Sequence, residues 1–151
     1  MASVSRRDVY LKAREYIRTP FHQQGRLKGI GIDCIGIAVC VGSELGLRYK
    51  DGRPIGIYDH RDYGLFPVFD ELQTKVRELL VEYSRAPLPG DVLTMRAPFL
   101  VHHMAIVSDL GAGRLGIIHA YGSLGKVSEH ILDDRWRRRI AGVFGYTGLS
   151  D

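Results

Sequence analysis

Apolar positions recur at helical spacing through the first half of the chain and at every second position through much of the second half. Residues 5–18 put Val9, Ala13, Tyr16 and Ile17 on one stripe. Ser5 stands ahead of that stripe as a cap and Thr19-Pro20 behind it as a stop, which predicts a first helix. After a glycine-bearing loop, PFHQQGRLKGIG, comes an apolar run from Cys34 to about Leu45. Its β-branched residues Ile35, Ile37, Val39 and Val41 would suit a buried strand. Its length, with Asp33 as N-cap and Gly46 as C-cap, favours a buried helix. Residues 47–66 read as loop, and 68–84 as a third helix with Val68, Leu72, Val76, Leu79, Leu80 and Tyr83 on one side. Pro87 and Pro89 close it. Short strands are predicted at 91–96, 101–108, 115–121, 126–131 and 142–146, separated by glycine-bearing turns. Helices first and an antiparallel sheet afterwards make an α+β domain. No linker divides the chain, so residues 1–151 are expected to form a single domain.

Composition adds little to that picture and removes a few classes. Hydrophobic residues make up 45% and charged residues 25%, enough for one core without disulfides or a structural metal. The two cysteines are too few for a disulfide framework. In a helix their spacing points Cys34 and Cys40 in different directions, and Cys40 reads as a small core residue. The net charge is +4, and part of it sits in Arg135-Trp136-Arg137-Arg138-Arg139. Such a run favours polyanions or is a solvated surface, and no nucleic-acid-binding motif accompanies it. The N-terminal MASVSRRDVYLKAREYI lacks the apolar core of a secretory signal. The longest uncharged apolar stretch, 34–43, is too short to cross a bilayer. The expectation is a chain made in the cytoplasm, without a signal peptide or transmembrane segment.

Candidate chemistry gathers at GIGIDCIGIAVCV. If Asp33 caps a helix, Cys34 stands in its first turn, among free backbone N–H groups and the positive end of the helix dipole. That setting lowers a thiol's pKa and presents a nucleophile; the other reading is a plain buried cysteine. A cysteine nucleophile needs a base, usually histidine, oriented by a third polar group. Of the six histidines, His22 and His60 fall in loops, and His130 falls near a strand end among charged residues, a surface position. That leaves VHHMAIV and GIIHAYG. His103 shares a strand face with Ala105 and Val107, and His102 shares the other with Met104 and Ile106. If the two strands form a hairpin, His119 lands beside His103.

Four motifs in order resemble the NlpC/P60 superfamily of papain-like cysteine peptidases: Asp33-Cys34-Ile35-Gly36, Pro89-Gly90-Asp91, His103-Met104-Ala105-Ile106, and His119. The segment TPFHQQGRLKGIGIDCIG is similar to the branch that serves as cell-wall peptidases on phage tail tips and gene-transfer-agent particles. The resemblance implies a papain-like fold, N-terminal helices packed on a C-terminal antiparallel sheet. It implies Cys34 as nucleophile, His103 as base and His119 as its orienting partner, with the Cys34 backbone N–H as oxyanion donor. It implies no cofactor, peptidoglycan stem peptides as substrate, and tail-tip, baseplate or hub proteins of a virion-like particle as partners. That particle would deliver the enzyme to the host cell envelope. Two features depart from the pattern: Ile35 replaces a common serine, and His102 precedes the matching histidine, becoming the base if the strand slips by one residue.

Three other readings stand beside this one. Cys34, His103 and His119 would hold zinc with water as fourth ligand, although the short paired-ligand spacing of zinc sites is missing. A structural tail-tip or baseplate subunit would keep the fold with a latent or inactive site. A nucleic-acid binder would rest on the basic run alone.

Overall fold

The computed structural model describes residues 3–56, 71–96 and 101–151. His60, the second half of the predicted 47–66 loop and the start of the predicted 68–84 helix lie outside them. Helix α1 (Arg6–Arg14) opens with a reciprocal cap, in which Ser5 accepts the Asp8 N–H and the Asp8 carboxylate accepts the Ser5 N–H at 2.8 Å. It ends earlier than the 5–18 stripe suggested. Tyr16 is buried on the following turn, where its hydroxyl donates to Glu44 at 2.6 Å. The next loop contains a small hairpin the pattern did not predict, β1 (Arg26–Leu27) against β2 (Gly31–Ile32). Helix α2 (Cys34–Glu44) follows, capped by Asp33 as expected. Apolar residues almost all round α2 mark it as an interior helix.

Helix α3 (Glu71–Leu79) ends earlier than predicted, because residues 81–83 are strand β3 (Val81–Tyr83). An apolar run there suits either period, and pairing with a distant strand decides it. The remaining strands fall close to expectation: β4 (Val92–Arg96), β5 (Val101–Gly111), β6 (Arg114–Tyr121), β7 (Lys126–Ile131) and β8 (Ile140–Gly145). A one-turn helix α4 (Asp134–Arg137) carries most of the basic run. The six strands form one antiparallel sheet in the order β3-β8-β4-β5-β6-β7, which makes the architecture α+β as expected.

Alternation sends each strand's side chains to two different surroundings. On one face Val92, Met104, Ile106, Ile118, Ala120, Val127 and Phe144 pack against the three longer helices, meeting Val9, Ala13, Ile37, Val41 and Val76. On the other, Leu93, Met95, Ala105, Val107, Ile117 and Val143 pack with Leu132 and Trp136.

The turn Pro89-Gly90-Asp91 joins these layers. Gly90 sits at φ +90, and a Cβ there would come within 2.7 Å of the Arg6 carbonyl oxygen. Asp91 is fully buried, paired with Arg6 and with Arg85 (2.7 Å), and accepts the Leu88 N–H at 2.8 Å. This turn pins α1 to the start of β4, so its role is structural.

Candidate active site

The tip of α2 is fixed by one carboxylate. Asp33, 3% exposed, accepts the Gly36 N–H at 2.8 Å and the Gln24 N–H at 2.8 Å. Its Oδ1 also pairs with the Arg26 guanidinium at 3.0 Å. The cap, the preceding loop and the β1–β2 hairpin are thus tied at one point. Gly36 lets them close, since a Cβ there would stand 2.6 Å from the Gly25 carbonyl oxygen.

Cys34, half-buried, follows directly and packs against the helix-side core. Its Sγ lies 4.0 Å from the His102 carbonyl oxygen of β5. The β5–β6 ladder pairs residues as far as Ile106↔Ile118, although the strands run on to Val101 and Tyr121. The thiol therefore meets β5 beyond the end of that ladder. On the β4 side of the same stretch, the register shifts where Met95 opposes His103 and Arg96 opposes Val101.

The thiol's acidity follows its burial rather than the helix dipole. Burial, followed by the negative charge of Asp33, pushes Cys34 up to about 12, while the N–H groups of Met104, Ile35 and Cys34 itself pull the other way. Magnitudes explain the outcome. A helix N-terminus contributes about 0.3–1 kcal/mol, less than one pKa unit. Burial of a titratable group shifts it by up to about 3–5 units.

On the other side of the sheet three imidazoles form a chain. His103 Nε2 lies 2.7 Å from His119 Nδ1, His119 Nε2 lies 2.7 Å from His130 Nε2, and His130 Nδ1 lies 3.0 Å from the Ile131 carbonyl oxygen. His103 and His119 are buried. Burial, then the neighbouring His119, His102 and Arg139, holds His103 well below the usual imidazole range. Burial and then His130 take His119 down to about 3. Trp136 packs edge-on against His119 at 4.9 Å between ring centroids, and Tyr121 stacks on the same ring at 5.8 Å.

The sequence-predicted residues are thus partly brought together. His103 and His119 are in direct hydrogen-bonding contact. Cys34 reaches the β5 backbone at His102, from the helix side. His102 is half-buried, and His22 lies in the loop before β1. Both nitrogens of His119 face other imidazoles, which leaves it unsuited to the zinc reading. Among the described residues, no group of three or more His, Cys, Asp or Glu side chains is placed to hold a metal.

Two contributors to this cluster were missed. His130 was assigned to the surface, but Ile117 pairs with His130 and His119 with Ser128. Period-two alternation across that hairpin puts residues 117, 119, 128 and 130 on one face, a signal present in the sequence. Trp136 was read only as part of a basic run. The Asp133 cap turns it inward while Arg135, Arg137 and Arg138 stay exposed.

No family model matches this sequence, and no curated protein matches it. Solved structures do match. The NlpC/p60 domain of the peptidoglycan hydrolase SagA is similar over 94% of this chain and 99% of its own, with TM-score 0.55 and 23% identity. An N-acetylmuramoyl-L-alanine amidase from Bacteroides uniformis is similar over 92% of this chain and 96% of its own, with TM-score 0.57 and 13% identity. A lipoprotein-like protein of the NLP/P60 family from Staphylococcus aureus covers all of this chain, with TM-score 0.55 and 18% identity. This chain spans 45% of that one. At these identities the likeness is one of fold.

Proposed function

We propose that the protein is a cysteine peptidase of the NlpC/P60 type that cuts peptidoglycan stem peptides, with Cys34 as nucleophile, His103 as base and His119 as its orienting partner. The observation that carries the reading is the meeting of a capped helix-tip thiol with β5 beyond the end of the β5–β6 ladder, one residue from a histidine already bonded to a second. There β5 makes no ladder pair with β6, while it stays paired with β4 on its other side. The reading requires the helix-side thiol to reach the His103 ring past the β6-facing edge of this stretch. The fold shared with a peptidoglycan hydrolase and an amidase supports the substrate class.

The chemistry begins from a neutral pair, since burial opposes charge on both partners. His103 Nδ1 takes the thiol proton as Sγ attacks the peptide carbonyl carbon. The Cys34 backbone N–H, at the helix start, stabilises the oxyanion. The C–N bond breaks, the leaving amine takes the proton from His103, and a thioester remains. A water then gives a proton to His103 and attacks the thioester, releasing a carboxylate and restoring the thiol. The similarity of residues 19–36 to the phage branch supports carriage on a tail or gene-transfer-agent particle.

A second assignment gives the base's role to His102, favoured by the proximity of its carbonyl oxygen to the thiol. One experiment tests both. Peptidoglycan is digested with wild type, Cys34→Ala, His103→Ala and His102→Ala, and soluble fragments are identified by mass spectrometry. Peptide-cleaved fragments are expected from wild type and His102→Ala only. Equal release from Cys34→Ala would remove the nucleophile assignment. Loss in His102→Ala with activity kept in His103→Ala would move the base by one residue.

A further inference from the structure

The chain of three imidazoles ends on a group that cannot donate. The Ile131 carbonyl oxygen only accepts, so the His130 nitrogen facing it at 3.0 Å, Nδ1, must carry a proton. A neutral His130 then has a bare Nε2. The facing His119 Nε2, 2.7 Å away, must donate to it. A neutral His119 consequently has a bare Nδ1, and His103 Nε2, 2.7 Å away, must donate in turn. The last ring is left with its lone pair at Nδ1.

We propose that His130 is a positioning residue that sets, through His119, the tautomer of His103 and so leaves Nδ1 of His103 as the free basic nitrogen. The relay rests on the peptidase reading only for its catalytic consequence; the tautomer assignment stands on geometry alone. Each ring has one partner on each linked nitrogen, and reversing any one bond would set two donors or two lone pairs face to face. Burial of His103 and His119 keeps those two rings neutral, and the directions follow for the form in which His130 is neutral as well. Trp136 packs against all three rings, with centroids 6.5 Å from His103, 4.9 Å from His119 and 5.3 Å from His130. That contact restricts the ring flips that would exchange the nitrogens. His119 alone would not suffice, since with no acceptor at Nε2 it takes either tautomer at little cost. The carbonyl-anchored His130 removes that freedom.

The test is imidazole nitrogen NMR on histidine-labelled full-length protein at neutral pH, which needs no substrate. Wild type is expected to show the proton on Nε2 in His103 and His119, and on Nδ1 in His130. His130→Phe, which cannot accept, should turn His119 into a tautomer mixture and carry His103 with it. His130→Gln, whose amide oxygen accepts from His119 Nε2, should restore the wild-type pattern. On peptidoglycan, kcat should fall roughly tenfold or more in His130→Phe and recover in His130→Gln, since a base held in the wrong tautomer loses up to about 10⁴-fold. A wild-type proton on His103 Nδ1 would overturn the proposal. So would His119 and His103 tautomers unchanged in His130→Phe. If His130→Phe does not fold, wild type and His130→Gln still decide, because a Gln variant with a His103 pattern unlike wild type also overturns it. Correct tautomers with no digestion by wild type would leave the relay standing and remove the peptidase reading. Digestion with the wrong tautomers would do the reverse.

Discussion

Two polar installations lie in apolar surroundings on opposite sides of one sheet, and they are stabilised in opposite ways. At the tip of α2, Asp33 is met by a guanidinium and two backbone N–H groups, an ion pair with its hydrogen bonds completed. Under Trp136, the imidazoles of His103 and His119 stay neutral and satisfy one another. The first arrangement depends on a charged partner being present, and the second on charge being kept out. Cys34 lies between them and shares the second condition, since its thiol also resists ionisation.

The largest effect is expected from breaking the ion pair. Asp33→Ala removes both the cap and the carboxylate paired with Arg26, whose side chain is 9% exposed. A loss of about 3–5 kcal/mol in unfolding free energy is expected by urea denaturation. A loss below about 1 kcal/mol would mean the pair is no more than a surface contact.

The imidazole side should respond to acid. The unfolded chain protonates these rings near their ordinary 6.5, whereas the folded chain resists down to about 3 for His119 and keeps His103 well below its usual range. Between those values the unfolded state holds more protons, so stability rises with pH. The slope is up to about 1.4 kcal/mol per pH unit for each ring, levelling off above the unfolded value. Urea midpoints at about pH 4.5, 5.5 and 6.5 check this. A flat series would show that the rings charge in place, which would dissolve the contrast with Asp33.

The smallest effect concerns the thiol. In a Cys40→Ser background, alkylation of Cys34 by iodoacetamide should be slow at neutral pH. It should climb about tenfold per unit with no plateau near the ordinary thiol range of about 8.5. A plateau at or below that range would mean that the helix dipole outweighs burial.

These outcomes also mark what the residues disclosed in advance. Asp33 and the α2 run were readable because a cap and its helix are local. Strands β4 to β8 were readable because alternation and glycine turns are local too. Residues 81–83 were not, because Val81 and Tyr83 fit a helix as well as a strand until Gly145 and Val143 pair with them. Which of the two readings of Cys34 burial favours was not legible for the same reason. The dipole belongs to its own helix, but the burial comes from β5, sixty-odd residues away. His103 and His119 were paired correctly by hairpin reasoning. His130 needed that reasoning carried one strand further.

The packing under α4 has an optical consequence. Trp136 is the protein's one tryptophan, and its ring lies against all three imidazoles. An imidazolium withdraws an electron from excited indole far more readily than a neutral ring does. The emission of this single chromophore therefore tracks the charge of the relay, in an unlabelled molecule and with every titrating side chain intact.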